Sequence, residues 1–308
     1  MFVADAHCDT LYKIAIKGIK HSQCSVTRDS LAAGGVGLQT FALFAGRGGP
    51  KGTPYVDGLA MLAAAPSLGV DIITGELPDE PPATPMGVYS CEGGEMLEGS
   101  LERLEEFQRQ TRLRMLALTW NFENEIGFPA KEGPTPGLKP FGKQLLAAMD
   151  RRGILPDTSH LNETGFWGVC ERAALPPIAS HSNCRWLCDV PRNLKKEQVK
   201  AIIERGGYIG VNFYGEFLRS DGPSTLDDVI RHIDALCELG GEHVVGFGSD
   251  FDGIDAWPEG LGDPSGFPAL LEALRRRGYG EETLRNLAGL NLWNLLKRAE
   301  REAAKHGA

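Results

Sequence analysis

The chain has no apolar run approaching the roughly 18 residues of a membrane span, no Cys-X-X-Cys pair, no long basic run, and no dinucleotide or Walker glycine fingerprint. It also lacks a Gly-X-Ser-X-Gly elbow. Each absence removes a class of protein. Without a span or a basic patch, and with a net charge of −9, neither a membrane nor nucleic acid is an expected partner. Without the glycine fingerprint an open doubly wound nucleotide-binding sheet loses its main signature. Without the elbow, covalent serine catalysis is a poor fit. The seven cysteines are odd in number and scattered, which excludes a disulfide framework and a four-sulfur zinc site. Cys8, Cys91 and Cys184, beside candidate site residues, read as small buried thiols. The start Met-Phe-Val-Ala-Asp-Ala-His has no basic n-region, so the expected location is cytoplasmic.

What is present is an alternation. Apolar, β-favouring runs fall at 2–6, 36–45, 86–90, 114–119, 153–158, 176–180, 207–213 and 243–249. Helical patterns follow at 56–68, 97–112, 141–152, 162–173, 194–205, 225–239, 266–277 and 281–304. Eight strand-helix pairs in 308 residues predict one α/β domain spanning 1–308, a closed (β/α)8 TIM barrel. Asn162 and Ser224-Thr225 are placed as helix starts. Gly46-Arg47-Gly48-Gly49-Pro50-Lys51-Gly52 reads as a solvated connection or part of a lid.

In such barrels reactive groups lie at the C-terminal ends of the strands. That rule sorts the seven histidines. His7, His160 and His181 follow strands one, five and six, whereas His21, His232, His243 and His306 fall in a loop, a helix, a strand entrance and the tail. His7 and Asp9, two residues apart at the end of the first run, point the same way if the strand continues through them. With Glu92, His160 and His181 they make three imidazoles and two carboxylates, more ligands than a single open tetrahedral zinc takes. Two Zn²⁺ sharing Glu92 fit better, with His7 and Asp9 on one side and His160 and His181 on the other. Glu95 is the competing bridge. Asp250, in Gly248-Ser249-Asp250-Phe251-Asp252-Gly253, is the expected proton acceptor, with Asp252 the alternative. Asp157 either orients a ligand histidine or makes a core hydrogen bond.

These words, Asp5-Ala6-His7-Cys8-Asp9, Glu92-Gly93-Gly94, Asp157-Thr158-Ser159-His160, Ser180-His181-Ser182-Asn183, Pro191-Arg192-Asn193, Val211-Asn212-Phe213-Tyr214 and Gly248 to Gly253, resemble the renal (membrane) dipeptidase family and its bacterial relatives. The resemblance runs in the same order from residue 3 to about residue 298. It implies a binuclear zinc dipeptidase acting on short peptides, including those with a C-terminal D-residue, and a homodimer. It makes His7, Asp9, Glu92, His160 and His181 the ligands, Asp250 the acid/base, and Arg192 the anchor of the substrate carboxylate. It leaves Tyr214 as pocket wall or barrel core. The chain departs from the family at Leu118-Thr119-Trp120-Asn121, where characterised mammalian relatives carry a substrate-binding histidine. Indole donates one hydrogen bond and cannot ligate zinc, so Trp120 and Asn121, or Asn124, take over that substrate contact. The same departure keeps open a metal-dependent amidohydrolase acting on N-acyl amino acids, another non-peptide amide or a lactone. A non-catalytic binding barrel is the third reading.

Overall fold

The computed structural model describes residues 1–46, 52–131 and 135–305. Nine parallel strands are formed by these residues: β1 Val3–Asp5, β2 Val36–Phe44, β3 Asp71–Ile72, β4 Met86–Glu92, β5 Met115–Ala117, β6 Leu155–Asp157, β7 Ile178–Ala179, β8 Tyr208–Val211 and β9 Val245–Phe247. Eight of them close a ring, because β2 pairs with β4 from Leu38↔Met86 to Phe44↔Glu92 and β1 pairs with both β2 and β9. The expected TIM barrel is therefore present. The ninth, β3, was not anticipated: it is a two-residue edge paired only to the start of β4, too short for any periodicity to reveal.

The strands are almost wholly buried, as both faces of a helix-wrapped parallel sheet must be. Helices begin where sequence chemistry provides a cap. Thr53, Ser100 and Asn162 accept from the backbone N–H three residues on, and the Thr225 N–H and hydroxyl both donate to Asp228 Oδ2. Three short helices, Thr10–Ala15, Arg28–Ala33 and Gly215–Leu218, lie inside the βα connections where no helix was expected. The last helical pattern, read as continuous over 281–304, is broken into Glu281–Arg285, a π turn at Asn286–Leu290, and Asn291–Ala304. Gly289 explains the break. A Cβ there would lie 2.8 Å from the Ala4 backbone nitrogen and 2.8 Å from the Phe2 ring, so the helix bulges where its backbone touches β1.

Strands five to nine end earlier than their apolar runs suggested. The residues just beyond them turn out of the ladder and become the rim. His160, Asp250 and Asp252 adopt left-handed backbone angles, with φ of 67°, 66° and 68°. For residues with a Cβ this costs about 1–2 kcal/mol each, held by the surrounding packing. Beneath the rim, Phe213, Phe247, Phe251 and Phe267 stack at centroid distances of 5.1 to 6.3 Å and fix β8 and β9 against the helix Phe267–Arg277.

Candidate metal centre

Four segments deliver five donor groups to one point above the barrel, and a fifth brings Asp250 beside them. Strand β1 ends at Asp5, so the alternation argument for His7 and Asp9 fails in its premise; both lie past the strand, and Asp9 opens the helix Thr10–Ala15. They converge all the same, with His7 Nε2 3.3 Å from Asp9 Oδ2. Glu92, the last residue of β4, stands between two imidazole groups. Its Oε2 is 3.6 Å from His7 Nε2, and its Oε1 is 2.9 Å from His160 Nε2 and 3.4 Å from His181 Nε2. The His7 and His181 rings stack at 3.9 Å. Asp250 Oδ1 lies 3.8 Å from His7 Nε2. All of these side chains are buried.

The outer nitrogens of two histidines are tied down. His160 Nδ1 is 2.8 Å from Asn121 Oδ1. Ser180 Oγ donates to Asp157 Oδ2 and lies 2.7 Å from His181 Nδ1, so the hydroxyl accepts from the ring. With both Nδ1 atoms donating, both Nε2 atoms carry lone pairs, yet they face each other at 2.9 Å. Two acceptors at that distance repel unless a cation lies against them.

Electrostatics point the same way. Burial pushes the Asp9 carboxyl up to about 8, and the Glu92 charge adds to it against the pull of His7. Burial likewise raises Asp250, outweighing His7, Asn212 and Arg192. Glu92 alone is held well below the usual carboxylate range, since His7 and the His160 and His181 hydrogen bonds overcome its burial. His160 is drawn down to about 4 by burial and by Arg192, and His181 is also lowered, so both are neutral at pH 7.

This donor set suits zinc. It offers the neutral His160 and His181 imidazoles with oriented lone pairs, a carboxylate with an oxygen for each side, and Asp9 Oδ1, a buried oxygen without a hydrogen-bond partner. Against its burial, Glu92 and Asp9 raise the His7 imidazole well above its ordinary value, and a cation would take the place of its proton. Gly253 completes the cradle: a Cβ there would fall 2.1 Å from Asp9 Oδ2 and 2.5 Å from Asp250 Oδ1. Only a residue without a side chain lets both carboxylates stand where they do.

The alternatives separate clearly. Both oxygens of Asp252 are engaged, by Thr10 Oγ1 at 2.7 Å, Lys13 Nζ at 3.1 Å, Ser25 N at 2.8 Å and Val26 N at 3.2 Å, so Asp252 pins the 24–26 loop. Glu95 is buried near Trp120 and Asn124, away from the histidine nitrogens, and burial lifts it to about 7. Asn124 is likewise committed: its amide donates to Leu118 O and its carbonyl caps Ile126 and Gly127. Asp157 accepts from Ser180 Oγ, which in turn holds His181 Nδ1, and from Ser159 N and Ser180 N, so it makes core hydrogen bonds and reaches His181 through Ser180.

A cavity of about 810 Å³ opens above the cluster, lined by Asp9, Glu92, His160 and Asp250 and walled by Tyr12, Phe44, Trp120, Phe122, Tyr214 and Phe217. Tyr214 is thus wall rather than core. Asn121 lines the cavity too, but its carbonyl oxygen is bound to His160. Arg192 is not among the lining residues; its guanidinium donates to His181 O and Ser182 Oγ and lies 5.4 Å from the Phe217 ring. Of the other histidines, His232 is a buried structural group between Cys184 N and Leu218 O, His21 bonds Val26 O, and His306 lies outside the described residues. The 46–52 connection, apart from its two end glycines, also lies outside them. Sequence reasoning assigned no role to Ser180, Asn212 or Gly253. The signal available was position, since Ser180 and Asn212 directly follow strand ends and Gly253 closes the turn after Asp250.

Barrel and cluster together define a metal-dependent hydrolase. The chain belongs to the membrane dipeptidase family, peptidase family M19, whose sequence profile matches residues 83–308. It is similar to an uncharacterized protein in the pqqA 5' region of Klebsiella pneumoniae, 38% identical over 220 residues, which are 68% of this chain and 80% of that one. It is also similar to an uncharacterized dipeptidase of Schizosaccharomyces pombe, 32% identical over 216 residues, 68% of this chain. The match spans about half the length of the two fission-yeast relatives, 52% and 53%. Among solved structures, a dipeptidase described as a metallo peptidase of family M19 superposes with a TM-score of 0.87 at 27% identity, covering 97% of this chain and 98% of that one. A metallo peptidase from Rhodobacter sphaeroides, liganded with a phosphinate mimic of the dipeptide L-Ala-D-Ala, gives 0.85 at 26% identity, covering 97% and 99%. Among the described residues no helix is long and apolar enough to cross a membrane.

Proposed function

We propose that this protein is a binuclear-zinc dipeptidase that cleaves the amide bond of short peptides, including dipeptides with a C-terminal D-residue. One observation carries the reading: Glu92 turns Oε2 toward His7 and Oε1 toward His160 and His181, the posture of a carboxylate shared by two ions. His7, Asp9 and Glu92 would hold one zinc, and Glu92, His160 and His181 the other. When bound, the two ions lower the pKa of water and polarise the scissile carbonyl.

The chain's own groups do the rest. Asp250 takes a proton from the attacking water and returns it to the leaving amine nitrogen; Asn212 Nδ2, 2.8 Å from Asp250 Oδ2, aims it and favours its ionised form. Asn121 and Ser180 hold His160 and His181 with their lone pairs inward. Arg192 supplies positive charge behind His181 for a substrate carboxylate. The rings of the cavity wall give the approach to the reacting bond an apolar lining. The substrate class is supported by the family and by the dipeptide mimic bound to the Rhodobacter relative. The proposal includes a cytoplasmic setting, in which the seven free thiols stay reduced.

Elemental analysis of purified protein together with a turnover panel tests this. Two zinc per chain and hydrolysis of dipeptides are expected. Turnover confined to N-acyl amino acids would replace the substrate assignment, and fewer than two ions would remove the bridging role of Glu92.

A further inference from the structure

One wall of the cavity is an unbroken run of rings. Tyr12 and Phe44 meet at a centroid distance of 4.7 Å, Phe44 and Trp120 at 4.8 Å, and Trp120 and Phe122 at 5.5 Å, while Trp120 comes within 6.4 Å of the His160 ring. They come from three separate segments, the helix Thr10–Ala15, the end of β2 and the loop after β5. The run lines the open cavity rather than the core: Phe122 is 38% exposed, and Trp120 is only partly buried. The run therefore forms an apolar track from solvent to the metal ligands. The charges of the cavity are Asp9, Glu92 and Asp250 at its floor, Lys13 and Asp252, which bind each other, Asp255, and Lys17, whose ammonium lies 5.4 Å from the Tyr12 ring. The charged lining residue recorded against a ring of the run is Lys17, on Tyr12, at the end away from Trp120 and Phe122.

We infer that this track is a specificity surface selecting dipeptides that carry one aromatic side chain, an inference that rests on the dipeptidase reading above. A flat ring laid on Trp120 and Phe122 gains offset or edge contacts and sheds water from both partners, whereas a methyl group touches only one ring. Even small differences in apolar fit change discrimination by about tenfold to a hundredfold. An anionic side chain placed on the same rings gains none of this and loses its hydration.

The test separates binding from turnover. Non-hydrolysable phosphinate analogues of Phe-Ala, Ala-Phe and Ala-Ala are titrated by calorimetry into the zinc-loaded protein and into its Trp120→Ala, Trp120→Phe and Phe122→Ala variants. At least one phenylalanine analogue is expected to bind about tenfold or more tighter than the Ala-Ala analogue. That advantage is expected to shrink to below about threefold in Trp120→Ala and Phe122→Ala and to survive in Trp120→Phe. Equal binding of the three analogues, binding of none, or an advantage that persists in both alanine variants overturns the inference. Hydrolysis of the matching dipeptides is scored separately. Selective binding without turnover of any dipeptide removes the dipeptidase reading and leaves the specificity surface standing.

Discussion

Asp157 acts on His181 without touching it: the Ser180 hydroxyl donates to Asp157 Oδ2 and receives the proton of His181 Nδ1 at 2.7 Å. Asp157 Oδ1 meanwhile accepts from Ser159 N at 2.9 Å and Ser180 N at 3.0 Å, so one carboxylate holds both the rim backbone and the ring. Ser180→Ala cuts only the second duty. It is expected to fold normally and to lose about 10–100-fold in zinc affinity, measured by chelator competition. Asp157→Ala leaves buried donors unmatched as well, and is expected to lose a further 1–3 kcal/mol or so of stability for each. Unchanged zinc affinity in Ser180→Ala would mean that the ring is oriented by something else.

Gly253 is the least obvious member of the site, since it contributes no side chain. A methyl group there would overlap Asp9 Oδ2 at 2.1 Å and Asp250 Oδ1 at 2.5 Å, and the neighbouring Asp250 and Asp252 backbones already occupy strained angles. Gly253→Ala is expected to displace one carboxylate, lowering zinc content or kcat by about a hundredfold or more, with the barrel's circular dichroism unchanged. Wild-type activity in that variant would show that the cradle has slack.

Glu95 distinguishes two carboxyl groups three residues apart. Burial lifts it to about 7 from an ordinary 4.5, so the folded state favours the protonated form. The stability this contributes is complete below pH 4.5 and is lost as pH rises through 7. Glu95→Gln is therefore expected to retain its zinc and to gain on the order of 2–3 kcal/mol over the wild type at pH 8, with little gain at pH 4. Thermal melts at the two pH values check it. Loss of one zinc per chain would instead make Glu95 a ligand.

The parts of the site visible in the sequence were those set by strand ends. His7, Glu92, His160, His181 and Asp250 all follow apolar runs, and the topology brings strand ends together whatever the strand boundaries. Groups acting through other groups were hidden. Ser180 reads as an ordinary polar neighbour, Asn212 as the end of a strand, and Asp252 as a candidate base until its four donors are seen. Arg192 shows the reverse. Its position was legible, but its engagement with His181 O depends on a loop whose path no periodicity encodes. The fold followed the same division, since alternation marks eight strands while the π turn at Gly289 arises from a tertiary contact with Ala4 and Phe2.

His232, outside the metal cluster, sets a limit on acid stability. It is buried between Cys184 N and Leu218 O, and burial draws it from 6.5 down to about 4. The unfolded chain takes up this proton first as pH falls, so the stabilising contribution is present above 6.5 and lost toward 4, by roughly 3 kcal/mol. His232→Gln is expected to flatten the decline in melting temperature between those values. An unaltered slope would place the acid sensitivity in His160 and His181 instead.

Asn212 offers a way to move the proposed base without removing it. Its side-chain N–H groups donate to Asp250 Oδ2 at 2.8 Å and pull Asp250 down against the burial that raises it. Asp250→Asn is expected to lower kcat by about 10²–10⁴ with zinc content unchanged, because the ligands proposed above are other residues. Asn212→Ala removes a donor to the ionised form, so the Asp250 pKa rises. The ionised carboxylate is the active form, and the acid limb of the kcat/KM profile is expected to shift to higher pH while the plateau falls less than in Asp250→Asn. An acid limb that stays in place in Asn212→Ala would mean that the group titrating in that limb is not Asp250.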